Sequence, residues 1–557
     1  MWVLLGIWVI SIIFYPTWIL GGEKLLTILH TNDLHSHLLG FSPNIDYSPL
    51  KTGDDTTVGG WSRIAAAIKS ERAKRANPTL VLDAGDFLMG SLFHMVARDE
   101  GLELRLLKEM KYDVVTLGNH EFDLGPVVLG YILAGFNPIT MQPLGEPVTL
   151  PILAANVDVG SLPALGAFVQ PWTIKEIGGM KVGLLGVVTE NPVYYSPDFV
   201  GIFGEPYTAA YVAAKELREQ PGCCDVVIAL SHLGLVLDVL GLSEVPGIDV
   251  IVSSHSHDEF FAPNINGKVI VQAGAFGKNL GELRITIDDA TKAITGASHV
   301  LHPITEKIHK DPALLPYLNA LREGIYADPR YGPVYSQHVA KALWDLEETW
   351  LESDPHRQPS HRDTPLGNVV ADAIRKGVAK AGYPVDLALE ANGYIGHKIY
   401  EGKVVGNDVM MAVPYGYDPV SGLGFKLKTV LLYGVELLAG LEYTVSMVEY
   451  TEDFSLQVSG LKFKYDSTRQ PSQGETRVDP SSVRINGELW KPFGMYRIAL
   501  NEKLLEVLAG LGLDLTYRIV DPTPALFEFN AVKEYMNELN HLQYTSEGRI
   551  IDTAAVP

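Results

Sequence analysis

The 557-residue sequence predicts an α/β protein built from two units. Three observations predict it. Short β-rich runs alternate with helical segments through the first half of the chain, the pattern of α/β architecture. The length exceeds the roughly 250–300 residues at which one core stops growing. Apolar residues make up 47% and charged residues 20% of the chain, a globular balance far from that of disordered sequences.

Taken in order, the runs "LLTILH" (25–30), "TLVLD" (79–83), "YDVVTL" (112–117), "PILAAN" (151–156), "MKVGLLGVV" (180–188), "CDVVIAL" (224–230), "IDVIVSS" (248–254) and "KVIVQAG" (268–274) read as strands buried on both faces. Between the first two, "GGWSRIAAAIKSERAKRANP" reads as a helix with Ile64 and Ile68 inward and a stop at Pro78. Residues 311–340 read as a helix followed by a Pro/Gly-rich connection. A second unit, 341–557, opens on the helix "LGNVVADAIRKGVAKAG" and contains "NEKLLEVLAGLGLDLTYRIV", a helix followed by a strand. No internal repeat or low-complexity tract interrupts the pattern.

The net charge of −22 excludes general nucleic-acid binding, which needs a basic face, but not a small anionic substrate at a bound metal. Two adjacent cysteines, Cys223 and Cys224, imply no disulfide framework. The stretch 1–22, "MWVLLGIWVISIIFYPTWILGG", is uncharged and strongly apolar. It reads as an export signal or a single membrane anchor, and Pro16 favours export, to a periplasmic, secreted or anchored extracytoplasmic location.

The ends of the strands carry the chemistry. "TNDLHSH" follows the first and holds Asp33 and His35; "DAGDFLMGS" follows the second and holds Asp86; "GNHEFD" follows the third and holds Asn119 and His120. Later strands lead to His232 in "SHLG" and to His255 and His257 in "SHSHDE". Strand ends of a shared sheet face one crevice, where α/β proteins place ligands. Imidazoles with carboxylates suit Zn, Mn, Fe or Co better than Ca or Mg. Seven candidate ligands overfill a tetrahedral site, so two ions sharing a carboxylate fit better than one. His30, His37, His94 and Glu121 read as structural.

In strict order, "ILHTNDLHSH", "GGWSRIAAAI", "LDAGDFLMGS", "TLGNHEFD", "ALSHLG", "VSSHSHDE" and "VQAGAFGKNLGEL" resemble the two-domain 5'-nucleotidase family of the calcineurin-like metallophosphoesterases, over about residues 25–285. The resemblance implies a four-layer α/β/β/α metallophosphoesterase sandwich over 23–310 and a C-terminal α/β 5'-nucleotidase-type substrate domain. It implies that Asp33, His35 and His257 hold one metal, that Asn119, His232 and His255 hold the other, and that Asp86 bridges them. The family often has Gln where His257 stands. A nucleophilic water between the ions would attack the phosphorus. His120, beside a ligand, is placed to protonate the leaving oxygen, and Asp123 to orient its ring and favour the charged form.

The second unit departs from the family. "HRDTPLGNVVADAIRKG" and "DFSLQVSGLKFKYD" resemble its opening helix and a later strand. In "EANGYIGHKIYEGKV" Asn392 and Gly393 match the substrate loop, but Gly396 stands where the phosphate-gripping Arg is expected, followed by His397 and Lys398, and a Lys point charge does not replace an Arg fork. Phe454 is the nearest candidate for a base-stacking aromatic, one residue out of register, with Ser455 in the expected place; Tyr394 reads as core and Tyr517 is a distant second. The expectation is an exported phosphoesterase acting on nucleotides or related small anionic esters. The alternatives are a thiosulfohydrolase-like hydrolase on the same centre, or a non-catalytic binding protein.

Overall fold

The computed structural model describes residues 22–41, 57–97, 101–123, 125–137, 140–189, 202–220, 222, 224–335, 337–349, 359–416, 423–448, 453–510 and 512–554. The apolar stretch at 1–21 lies outside the described residues, and no described helix is long and apolar enough to cross a membrane.

The first unit contains β1 (Glu23–Thr31), β2 (Thr79–Asp83), β3 (Val114–Thr116), β4 (Ile152–Leu153), β5 (Val169–Gln170), β6 (Trp172–Ile177), β7 (Met180–Val188), β8 (Val226–His232), β9 (Val250–Val252), β10 (Glu259–Ile265), β11 (Lys268–Ala273), β12 (Asn279–Asp288) and β13 (Ile294–Pro303). They form two sheets, as the four-layer sandwich implied by the family resemblance requires. One has seven strands in the order β13-β12-β1-β2-β3-β4-β5, parallel from β1 to β5. The other has six in the order β10-β11-β9-β8-β7-β6, parallel from β11 to β7.

Side-chain alternation explains why they stack. Leu26, Ile28, Leu80 and Leu82 of the first sheet meet Val226, Ile228, Leu230, Val250 and Val252 of the second in one core. The intervening residues face outward. Leu29 and Val81 pack under the helix Trp61–Ala73 through Ile64 and Ile68, and Leu185, Val227 and Ala229 pack under the helix Pro206–Glu219 through Ala210, Ala213, Ala214 and Leu217. The result is four layers, α/β/β/α. Truncating a central residue such as Ile28 to Ala would cost about 2–5 kcal/mol, because neither sheet can collapse into the gap.

A helix, Leu315–Ala327, and a short turn of helix, Gly332–Tyr335, lead into the second unit. Its strands are β14 (His338–Ala342), β15 (Leu387–Ala391), β16 (Gly402–Val405), β17 (Leu427–Tyr433), β18 (Leu456–Ser459), β19 (Leu461–Tyr465), β20 (Arg484–Ile485), β21 (Glu488–Leu489), β22 (Met495–Asn501), β23 (Ile519–Val520), β24 (His541–Leu542) and β25 (Ile550–Asp552). The main sheet runs β18-β15-β22-β17-β23. Because β14 pairs with β16 and β24, the second unit's strands start at His338, inside the 311–340 connection read from sequence. The helix Pro365–Lys380 is capped by Thr364, whose side chain accepts from the Gly367 N–H, and its Leu366, Val369, Val370 and Ile374 bury against Phe529, Val532 and Met536.

The units meet over an aromatic cluster. His397 of the second unit packs 4.9 Å from both Phe41 and Phe276 and 5.6 Å from His37 (ring centroids). Lys278 lies over the Phe276 ring at 5.3 Å. This contact brings the loops beyond β15 and the helix Gly406–Ala412 toward the rim where the parallel strands of both sheets end.

Candidate metal centre

The seven residues singled out from the sequence converge on that rim from both sheets. Asp33 and His35 follow β1, Asp86 follows β2, and Asn119 follows β3; His232 ends β8, and His255 and His257 follow β9. Five of the seven, Asp33, His35, Asp86, His255 and His257, hold φ between 47° and 73°. Left-handed backbone at non-glycine residues costs about 1–3 kcal/mol each and collects at functional sites. The loops brace one another: the Asp33 N–H donates to the Gly85 carbonyl and the His35 N–H to the Asp86 carbonyl, both at 2.9 Å. Gly118 is required because a Cβ there would sit 2.2 Å from Asp86 Oδ1.

Two groups of three have ligand atoms mutually within 4.8 Å: Asp33, His35 and His257, and Asp86, His232 and His255. Asp86 lies between them, with its Oδ2 3.0 Å from His232 Nε2 and 3.8 Å from His35 Nε2. Asn119 is fully buried, and neither atom of its amide has a hydrogen-bond partner. A buried amide left this way costs about 1–3 kcal/mol, and a cation at the Asp86 group would satisfy its oxygen. His232 Nδ1 is engaged by the Ala84 carbonyl at 2.9 Å, which leaves Nε2 to face the centre. The residues therefore fit divalent ions. A third group, Glu71, Glu282 and His302, is a different case: Arg75 bridges both carboxylates and Arg284 binds Glu282, so the charge is already compensated.

The field at the rim is that of buried carboxylates among imidazoles. Burial pushes Asp33 up to about 7 and His255 and His257 down to about 4 and about 3. Burial would also lower His232, but the Asp86 charge beside it raises it to about 10. Glu121, 2% exposed, accepts the backbone N–H groups of Asp86 and Leu88 at 3.0 Å and of Gly118 at 2.6 Å, tying two ligand loops together as its structural reading predicted.

His120 does not join either group. Its Nδ1 lies 2.8 Å from Asp123 Oδ2 and its Nε2 4.0 Å from Asp86 Oδ2. Burial works against its charge, yet the Asp123 and Asp86 carboxylates raise it to about 9. His30, His37 and His94 lie outside both groups: His30 stacks on His299, and His37 Nδ1 bonds the His35 carbonyl.

Two residues of the second unit reach the centre without having been singled out. Tyr415 stacks face to face on His120, with centroids 4.7 Å apart and an interplanar angle of 11°, and Asp453 places Oδ2 3.8 Å from His255 Nε2. The only local signal was an aromatic in a Pro/Gly turn, "VPYGY", and an acidic residue beside Phe454. Phe454 itself packs in the second unit's core, 9% exposed and edge-on to Tyr443. Asn392 and Gly393 hold the 453–455 segment, through Gly393 N–H to the Asp453 carbonyl and Asn392 N–H to the Ser455 carbonyl. Lys398 is bound to Asp345 and Glu347, His397 is buried in the aromatic cluster, and Tyr517 is almost fully exposed.

The sequence profile of the calcineurin-like phosphoesterases matches residues 26–259, and that of the 5'-nucleotidase C-terminal domain matches residues 347–507. The chain is 28% identical over 503 residues to the trifunctional nucleotide phosphoesterase protein YfkN of Bacillus subtilis, an alignment covering 86% of this chain and 31% of that protein. It is 26% identical over 586 residues to a 5'-nucleotidase of Rattus norvegicus, covering 97% and 92% of the two chains. A 5'-nucleotidase precursor from Thermus thermophilus superposes with a TM-score of 0.75 at 27% identity, covering 95% of this chain and 99% of that one. The Thermus thermophilus sulfate thiohydrolase SoxB, at 18% identity and a TM-score of 0.72, covers 95% and 96% and shares the fold. With both halves matched in order and the histidine-rich rim assembled as described, the chain belongs to the two-domain 5'-nucleotidase family of calcineurin-like phosphoesterases and is a metal-dependent phosphoester hydrolase.

Proposed function

We propose that the chain is an exported two-metal phosphoesterase that hydrolyses nucleotides or related small phosphate esters. The observation that supports this most is the convergence of Asp33, His35 and His257 and of Asp86, His232 and His255 in two groups on one rim, which the buried, unpartnered Asn119 amide joins from the end of β3. In this reading Asp33, His35 and His257 hold one ion, Asn119, His232 and His255 the other, and Asp86 serves both; the donor set suits Mn, Zn, Co or Fe. When bound, two such ions supply a nucleophilic water at neutral pH and neutralise charge building on the phosphoryl oxygens. The rest falls to the protein. His120, charged through Asp123, gives its Nε2 proton to the leaving oxygen as the P–O bond breaks, and Asp123 keeps the ring in the orientation that presents that proton. Export is supported by the apolar stretch at the N-terminus alone.

The test is a phosphate-release screen on purified protein with Mn, Zn or Co. It compares mononucleotides, 2',3'-cyclic nucleotides, a nucleotide sugar and a generic aryl phosphate. Preference for nucleotides supports the full reading. Turnover of the aryl phosphate alone supports the metal centre but assigns the second unit to another ligand, and no turnover with two metals bound would refute it.

A further inference from the structure

The metal centre is approached from the second unit by a carboxylate. Asp453 Oδ2 lies 3.8 Å from His255 Nε2, with the side chain 30% exposed. Partly open to solvent and in contact with His255, it faces the rim from the second unit. The position is built. Gly393 donates its N–H to the Asp453 carbonyl at 3.0 Å and leaves no room for a side chain, since a Cβ would lie 3.0 Å from the Asp453 Cβ. Asn392 N–H bonds Ser455, and Asn392 Oδ1 accepts from Gln457 Nε2, whose Oε1 in turn accepts the Thr364 N–H. The loop read from sequence as a substrate loop is thus the frame that aims Asp453 at the histidines.

An acidic group aimed at a site for phosphoryl anions is out of keeping with simple anion capture, because like charges at this range oppose one another through a poorly screened path. We propose that Asp453 is a specificity-determining residue, a charge filter that weakens binding of free phosphate and small phosphate dianions at the metal centre. It thereby favours esters whose leaving group displaces or hydrogen-bonds the carboxylate. The contact with His255 must give way as an ester enters, and Tyr415, stacked on His120, yields on the same side. Inorganic phosphate, the product, is held less tightly for the same reason, which promotes its release. This inference rests on the phosphoesterase reading above.

The experiment compares the metal-loaded full chain with Asp453→Asn, which keeps the shape and removes the charge, and Asp453→Ala, which removes both. Binding of inorganic phosphate is measured by calorimetry, KM for the aryl phosphate by turnover, and metal content by elemental analysis. The expected result is about tenfold tighter phosphate binding and a lower KM in both variants. Phosphate affinity within twofold of wild type would overturn the filter. So would loss of a metal from Asp453→Asn, which would make Asp453 a ligand. If the wild type with two metals neither binds phosphate nor hydrolyses any ester, the phosphoesterase reading itself fails; if it does both and the variants match it, only the filter falls.

Discussion

Replacing Glu121 by Gln tests whether the ligand loops are held as the hydrogen bonds indicate. One carboxylate oxygen accepts from both Asp86 N–H and Gly118 N–H, and the other accepts from Leu88 N–H. An amide can keep the first two contacts through its oxygen, but its NH2 then faces the Leu88 donor. One buried N–H is left without an acceptor, at a cost of about 1–3 kcal/mol. Glu121→Ala strands all three donors and opens a small void, for a loss of about 3–6 kcal/mol if each donor costs toward the lower end of that range. Because Asp86 and Asn119 flank the staple, metal affinity should fall about 10- to 100-fold in the Gln variant, the scale seen when a group that orients ligands is removed. Urea denaturation of metal-free protein reads the first quantity, and competition with a chromophoric chelator reads the second. A Gln variant within 0.5 kcal/mol of wild type and with unchanged metal affinity would refute the role, where ~0.5 kcal/mol is the ordinary scatter of neutral substitutions.

His120→Ala is expected to keep both metals and lose at least about a hundredfold in turnover, checked by elemental analysis and steady-state kinetics on the same sample. Activity near wild type would remove the His120–Asp123 pair from the mechanism. Asp86→Ala should lose metal from both groups, so a variant retaining two ions per chain would end the bridging assignment. Glu390 and Glu528, both buried, lie close enough in the second unit for each to act on the other's titration. Burial raises Glu528 to about 7, and burial with the Glu528 charge holds Glu390 well above the carboxylate range. The folded state then binds more protons than the unfolded one, so this stability is complete below about pH 4.5 and is lost as pH rises through about 7, worth at most about 3 kcal/mol for Glu528. Glu528→Gln should flatten the fall in denaturation midpoint between pH 5 and 8, and an unchanged slope relative to wild type would count against a proton held by Glu528 in the folded state.

Most of the first unit was legible because buried parallel strands announce themselves as apolar runs, and their ends carried residues that turns alone do not require. What the runs could not say is which strand pairs with which. The runs alone placed their ends on one sheet edge, and only the family resemblance implied two sheets; β1 to β4 and β7 to β11 belong to different sheets whose ends share a rim. β10 and β13 escaped for a physical reason: both lie at sheet edges and alternate exposed with half-buried residues, so they show no continuous apolar signal. In the second unit, Asn392 and Gly393 were found by their sequence pattern, but their work is to hold the Asp453 segment, a relation set by a strand pair, β15 with β18, more than sixty residues apart. Tyr415 was missed because its partner, His120, is in the other unit, and no local pattern encodes a contact made only when two units pack.

The distribution of backbone strain separates what the two units do. The two candidate ligands without positive φ are His232, the last residue of a strand, and Asn119, which opens a turn of helix with φ −72°. The other five are held left-handed by loops that leave strands of the two sheets and that are braced by backbone N–H bonds across the rim. Such residues cannot relax singly, since rotating Asp86 would break both its N–H bond to Glu121 and the bond its carbonyl accepts from the His35 N–H. These five candidate ligands are therefore held in place by the sandwich itself, and the strain of about 1–3 kcal/mol at each is offset by the apolar core between the sheets. A centre so rigid has little scope to select among esters. Selection must come from groups that can move relative to it; from the second unit, Tyr415 stacks on His120 and Asp453 approaches His255.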